Sequence, residues 1–423
     1  MENMQTQAIV FGAGNVGRGF LGQLFSESGY HVCFVDVDAV LIDTFRARGA
    51  YTIRLVDNAH TEEVRVGPVT GLLASDAGAV AEALAAASLG ATAVGARALP
   101  HVAPAVAAGI RLRAERGVEE PLNLIICENL KGAAAIFRGM VFEHLDDAGR
   151  RYAAGHVGFV DTVIGRMVPE LTPELRAQDP TLIIVEPYKE LPVDRAGFVG
   201  PIPEIVGMEP SDDFALFTAR KLYLHNAGHA ILGYLGYRYG HTLGYEALED
   251  PYIRPVLDGA LEEALQGIVR RHGADEAREY SGGAREYSGG AREYSGGARE
   301  YSGGAWLRAH VADLLERFAN RALADPVLRL ARDPLRKLAP DDRLVGAARV
   351  AEAAGHVPVN LALGIAAALA FDAPEDPSAQ ELQGRIAREG VESVLASVCA
   401  IDSAEPLGRA VLERYQRLLG SGA

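Results

Sequence analysis

Cysteine is scarce in this chain: Cys33, Cys127 and Cys399 are the only three among 423 residues. An odd, widely spaced set is not a disulfide framework, and no C-x-x-C pair suggests zinc. The three read as reduced, mostly buried thiols of a cytoplasmic protein. Positive charge is also short, with 41 Lys and Arg against 56 Asp and Glu and a formal net charge of −15. Phosphate backbones and anionic membranes need a basic face, so neither nucleic acid nor membrane is an expected partner. A small anion stays possible, since a few local arginines can overcome the global balance. Long apolar runs are missing too. No stretch reaches the ~18–20 apolar residues that span a bilayer. The longest candidate, 357–371, contains Pro358 and Asn360. The start of the chain is polar and carries no secretory pattern. There is no G-x-S-x-G, which leaves a serine hydrolase unsupported. His225 and His229 stand four apart, but Asn226 occupies the place of the glutamate in H-E-x-x-H, so no metal is expected.

Hydrophobic residues make up 49% of the chain, ordinary for a folded protein of two or three domains. The first half alternates in type. Apolar runs at 7–11, 31–36, 91–94 and 122–127 read as buried strands, and the segments 40–48, 79–87 and 102–113 between them as helices. This order predicts an α/β domain with a mostly parallel sheet covered on both faces. Stricter alternation at 51–56 and 63–69 predicts a further hairpin, and 181–188 another strand. A proline-rich passage, 192–203, sets a soft boundary. It gives an N-terminal domain at 1–200 and an all-helical domain at 201–423, whose helices are expected at 214–235, 253–271, 307–322, 344–354 and 360–370. Residues 277–304 are four copies of Ala-Arg-Glu-Tyr-Ser-Gly-Gly. Paired glycines, each costing about 1 kcal/mol in a helix, exclude a good coiled coil. A surface loop is expected, with a tyrosine-bearing tether as the sharper alternative. Lengthening a loop from one copy to four is two doublings, about 1.2 kcal/mol of closure entropy.

Two motifs carry chemistry. Gly12-x-Gly14-x-x-Gly17 follows the first strand and opens an apolar helix. Gly12 permits a tight turn, Gly14 a close approach to a pyrophosphate, and Gly17 close packing of helix on strand. The helix start offers free N–H groups to phosphates. The turn Gly12, Ala13, Gly14, Asn15, Val16, Gly17, Arg18 and Gly19 is therefore the candidate nucleotide site. Arg18 can touch phosphate there or be a solvated arginine. Asp36 ends the next strand, where a carboxylate can accept from ribose hydroxyls and repel a 2′-phosphate, which favours NAD over NADP. The second motif is Lys221-x4-Asn226-x2-His229. At 100° per residue, Asn226 lies about 140° and His229 about 80° from Lys221, so the three can line one side of a helix. Alcohol oxidation needs a base for the hydroxyl proton and donors for the developing charge. Lysine serves as the base if burial lowers its pKa by about two to three units, roughly 3–4 kcal/mol. From spacing alone, three solvated or satisfied polar residues are the competing reading.

The chain resembles the polyol-specific long-chain dehydrogenase/reductase family. The likeness runs through FGAGNVGRGF at 11–20, FVDVD at 34–38, PLNLIICEN at 121–129 and HVGFVDTVIGRMVP at 156–169. It continues through VEPYKELPVD at 185–194, RKLYLHNAGHA at 220–230, RDPLRKLAPDDRL at 332–344 and VNLALGIAAAL at 359–369. The resemblance implies a Rossmann-type domain followed by an all-α domain, with the active site between them. It implies Lys221 as general base, and Asn226 and His229 polarising the reacting oxygen. It also implies NAD at the glycine turn and Asp36. Asp161 sits where relatives have an asparagine near the oxyanion, and Glu128 and Asn129 border the cofactor end of the last core strand. The implied reaction is D-mannitol 1-phosphate plus NAD giving D-fructose 6-phosphate, NADH and a proton, in either direction. A substrate phosphate needs cations. Arg332, Arg336, Lys337 and Arg343 can provide them, or can form ion pairs with Asp333, Asp341 and Asp342. A non-phosphorylated polyol or hexuronate dehydrogenase is the nearest alternative, and a catalytically dead nucleotide-binding interaction protein the more distant one. The oligomeric state stays open, a monomer included.

Overall fold

The computed structural model describes residues 6–169, 171, 173–273, 277–280, 285–288, 291–294 and 299–420. Two compact units make up the chain, Met1–Phe214 and Ala215–Ala423.

In the first unit, β1 (Gln7–Phe11), β2 (His31–Asp36), β5 (Val69–Leu73), β6 (Leu89–Thr92), β7 (Leu122–Ile126) and β8 (Val157–Asp161) form one sheet in the order β5-β2-β1-β6-β7-β8. Every pairing in it is parallel. Alternation along β1 explains the two-sided cover. Ala8 and Val10 join one apolar cluster with Phe20, Phe34 and Phe45, while Ile9 and Phe11 join the other with Leu84, Val106 and Ile110. The order reverses at β1, between β2 and β6, and ligands of open α/β sheets bind beyond the strand ends at such a switch point.

The expected hairpin is present as β3 (Tyr51–Val56) and β4 (Thr61–Val66), joined on its other side by β9 (Ile183–Val185) in parallel. Sequence alternation carries the second strand of the hairpin on to Val69. The chain instead leaves β4 at Gly67-Pro68, because proline cannot donate to a ladder, and Val69 starts β5 in the main sheet. Periodicity does not reveal β8 either: all but its last residue are buried, so it lacks alternation.

The second unit is built on helices. Phe214–Arg220 runs into Lys221–Asn226 and then Ala227–Arg238. Around these come Ile253–His272, Gly303–Phe318, Val327–Ala331, Pro334–Lys337, Val345–Ala353, Val359–Leu369 and Pro406–Gly420. Glu263 accepts from the amides of Asn360 and Leu361, which caps the apolar helix Val359–Leu369 at its positive end. Across the repeat, the backbone pairs where a loop was expected. Ala277–Tyr280 lies antiparallel to Arg299–Ser302, and Arg285–Ser288 to Ala291–Tyr294. The tether alternative concerns side chains outside the described residues. Among the described residues no helix is long and apolar enough to cross a membrane.

Candidate active site

The nucleotide turn is built by close backbone packing. Gly12 has φ +94°, a conformation that costs only glycine little. Its amide donates to the Val35 carbonyl at 2.8 Å. A Cβ on Gly17 would lie 1.9 Å from the Gly12 carbonyl oxygen, so the first helical turn can sit on β1 only with glycine there. Gly14 is the reverse case. A Cβ there would meet no atom within 4 Å, and Gly14 and Asn15 are both exposed. The turn thus presents open space at its tip and dense packing at its base, the arrangement a pyrophosphate needs. Ala13 is buried, Val16 partly buried, and buried Gly19 lets the turn pack on β9 through Val185 and Ile183. The helix opens as a π turn, Gly17–Leu21, before continuing as Gly22–Glu27.

Asp36 reaches this turn. Its Oδ2 accepts from the Ala13 amide at 2.6 Å and its Oδ1 from the Asp38 amide at 3.1 Å. A carboxylate has about four acceptor positions, so both oxygens retain room for a hydroxyl. Exposed Val37 and Val40 stand beside it. Arg18 is held by hydrogen bonds within the unit. Its Nε donates to the Ala13 carbonyl at 2.5 Å and a terminal nitrogen to the Pro180 carbonyl at 2.8 Å. Tyr51 donates back to the Arg18 carbonyl at 2.7 Å. Arg18 ties the turn to a neighbouring loop. Burial lowers its pKa, against the opposing pull of Tyr51 and Asp36.

Two carboxylates at the strand ends hold backbone. Glu128 is buried and accepts from Thr92 Oγ1 at 2.5 Å and from the Val94 amide at 3.0 Å. It clamps the ends of β6 and β7 together, and burial raises its pKa despite those bonds. Asn129 is exposed. Asp161 accepts from the Ala134 amide at 2.9 Å, at the start of helix Ala133–Glu143, and burial raises its pKa.

In the second unit, Lys221–Asn226 is a π turn inserted between two α-helices. Spacing by 100° per residue therefore fails across it, since a π turn bonds i to i+5. Lys221 is partly buried, and its pKa falls to about 8. Burial is the main cause and the charge of Arg343 the next, opposed by Asp342 and reinforced by Arg336. Asn226 is 8% exposed, and among the described residues its Nδ2 has no hydrogen-bond partner. Such an orphan costs about 1–3 kcal/mol, so an oxygen acceptor is called for at this point. His229 stacks on Phe318, ring centroids 4.1 Å apart and planes 26° from parallel. His225 stands edge-on to both rings, 4.8 Å from His229 and 5.7 Å from Phe318. Burial, with Arg317 and other cations, keeps the His229 pKa well below its ordinary value, so the ring is neutral at pH 7.

The four cations at 332–343 divide. Arg343 is buried and pairs through Nε with Asp342 Oδ1 at 2.7 Å. Exposed Arg336 pairs with Asp333 at 2.7 Å and with Asp342 at 3.7 Å. Lys337 is buried, donates to the Leu330 carbonyl and lies 5.7 Å from the Tyr234 ring centroid. Its pKa falls to about 7, chiefly through burial and then Arg343. Arg332 is exposed and lines a separate cavity of about 400 Å³ with Leu328, Phe371 and Asp376. The cluster that reads as one in sequence thus supplies two cations that act on Lys221, Arg343 and Arg336, while the other two serve elsewhere.

The profile of the mannitol dehydrogenase Rossmann domain matches residues 6–207. That of the mannitol dehydrogenase C-terminal domain matches 213–283 and 303–419. The chain belongs to the mannitol dehydrogenase family. As a member it is an oxidoreductase of the dehydrogenase type. Mannitol-1-phosphate 5-dehydrogenase of Brevibacillus brevis is 37% identical over 411 residues, 97% of this chain and 98% of that one. The enzyme of the same name from Bacillus licheniformis is 36% identical over 410 residues, 97% and 99% of the two chains. Among solved structures, Pseudomonas fluorescens mannitol 2-dehydrogenase, in a ternary complex with NAD and D-mannitol, superposes with a TM-score of 0.70 at 19% identity. It covers 99% of this chain and 92% of that one. A substrate-free D-sorbitol dehydrogenase gives 0.76 at 17% identity, covering 100% and 94%. These two confirm the fold. The family profile passes over 284–302, so most of the tandem repeat is an insertion relative to the family. The parts played by Phe318 and Glu128 are not legible in sequence, because each meets its partners across long stretches of chain and no local spacing signals that.

Proposed function

We propose that this member of the family oxidises D-mannitol 1-phosphate with NAD to D-fructose 6-phosphate, NADH and a proton, and runs the reverse reaction. In this reading residues 1–200 hold the dinucleotide and 201–423 the substrate. NAD, when bound, supplies the hydride acceptor. The open tip at Gly14 and the amides of the first helical turn suit its pyrophosphate, and Asp36 suits its ribose while disfavouring a 2′-phosphate. Lys221 takes the proton from the hydroxyl at the reacting carbon. An amine with a pKa of about 8 is neutral often enough near pH 7 to act as a base, and a good acid for the return step. Asn226 Nδ2 donates to the oxygen as charge gathers on it, and neutral His229 orients the same oxygen or its neighbour. No metal is needed in this scheme, and the enzyme works in the cytoplasm.

The observation that carries the reading is the pairing, within one π turn, of a depressed lysine with a buried amide donor that lacks an acceptor among the described residues. Phosphate as the substrate's handle draws support from Arg343 and Arg336 near Lys221, and from the names of the two curated relatives. One observation favours a non-phosphorylated polyol instead. Both arginines already pair with Asp333 or Asp342, which leaves fewer donors for a dianion. Replacing Lys221 with alanine tests the chemistry. The expected result is a loss of about 10²–10⁴ in kcat for NADH formation from mannitol 1-phosphate, with NADH binding unchanged. Turnover within twofold of the parent chain would remove lysine from the base role.

A further inference from the structure

Tyr223 of the π turn lines a cavity that the proposed chemistry does not use. It has a volume of about 470 Å³, within the usual range of small-molecule sites. Tyr223, Pro340, Val350 and Ala353 give its lining apolar surface, and Arg270 and Arg271 line it as well. Both arginines are exposed, and among the described residues neither has a carboxylate partner or a hydrogen-bond acceptor. A third arginine of the lining, Arg349, is already neutralised by Glu352 at 2.8 Å and Glu405 at 2.6 Å. Asp341 is the one acid in the lining.

Arginines in the last turn of helix Ile253–His272 also complement its dipole. That role asks only for positive charge near the helix end. It does not ask for two guanidiniums lining one cavity together with apolar side chains. Guanidinium forks match phosphate oxygens in pairs, and an aromatic ring in the lining suits a compact apolar body. We propose that this cavity is a second anion site, for a small organic phosphate whose phosphate is held by Arg270 and Arg271 and whose body rests on Tyr223. The proposal does not depend on the reaction assigned to Lys221. The cavity wall nevertheless shares backbone with the chemistry, since Tyr223 stands two residues from Lys221, and Asp341 next to the Asp342–Arg343 pair.

Phenyl phosphate is a suitable probe, with inorganic phosphate and phenol as controls for its two halves. Titration calorimetry on the full chain, saturated with mannitol 1-phosphate to fill any phosphate position near Lys221, is expected to show phenyl phosphate binding more tightly than either control. In an Arg270→Gln, Arg271→Gln double variant the Kd should rise at least about tenfold, the loss of one charge-assisted pair, while kcat stays within twofold. Tyr223→Leu should weaken phenyl phosphate and leave inorganic phosphate alone, which separates the ring from the charge. Equal Kd values for the parent chain and the double variant, or no binding of phenyl phosphate beyond that of phenol, would overturn the proposal. Circular dichroism of each variant shows that a lost signal is not lost fold.

Discussion

At the scale of single residues, the proposed chemistry turns on how far burial and two arginines depress one amine. Lys221 must be neutral to take a proton, so oxidation should climb as pH rises through about 8 and level off above it. Reduction needs the ammonium form, so it should be full below about 8 and fall above it. A pH–kcat profile in both directions checks the sign, and limbs of the same direction in both would be inconsistent with a single lysine. Arg343 lowers the pKa of Lys221 by its charge, while its partner Asp342 raises it. Arg343→Gln removes the cation and leaves the acid uncompensated. Both changes push the oxidation limb upward, by an expected half unit or more, about 0.7 kcal/mol. A limb that stays in place would mean that Arg343 acts on something other than the amine.

At the scale of elements, the glycine turn gives a contrast that composition alone could not. Gly17→Ala forces a Cβ to within 1.9 Å of the Gly12 carbonyl, so the variant should lose both thermal stability and NADH binding. Gly14→Ala adds a methyl group that meets nothing in the protein. It should keep its Tm within a degree or two and still bind NADH at least about tenfold more weakly, read by fluorescence titration. The strands most legible in sequence, 7–11 and 31–36, have clear flanks and a motif that fixes their ends. Two others are illegible for different reasons: Val157–Asp161 is buried at all but its last residue, so no period marks it, while Val69–Leu73 is short and follows so closely on the hairpin that its first residue reads as part of it. Helix 214–235 is legible as a helix, but its π turn is not, because hydrophobic spacing is too coarse to register one inserted residue. The candidate site divides likewise. Lys221, Asn226, His229 and Asp36 are readable as a pattern. The platform under His229, the clamp by Glu128 and the splitting of the arginine cluster arise from contacts distant in sequence, which only the folded chain reveals.

At the scale of the whole molecule, nearly all of the chain follows the family plan, and the tandem repeat is the exception. Its outer copies flank two helices of the second unit, Ile253–His272 and Gly303–Phe318, and the family profile resumes at residue 303. Deleting 284–304 should therefore leave turnover within about twofold and lower stability little, since shortening a connection changes closure entropy only slightly. A collapse of activity in that deletion variant, with NADH binding intact, would give the repeat a part in the chemistry. Whether the molecule is an NAD-linked dehydrogenase of a phosphorylated polyol is decided by the initial rate of NADH formation with mannitol 1-phosphate and with mannitol, side by side. The kcat/KM for mannitol 1-phosphate should be at least about a hundredfold higher, the value of one well-placed ionic contact of roughly 2.7 kcal/mol. An equal or higher kcat/KM for free mannitol would contradict the proposed substrate.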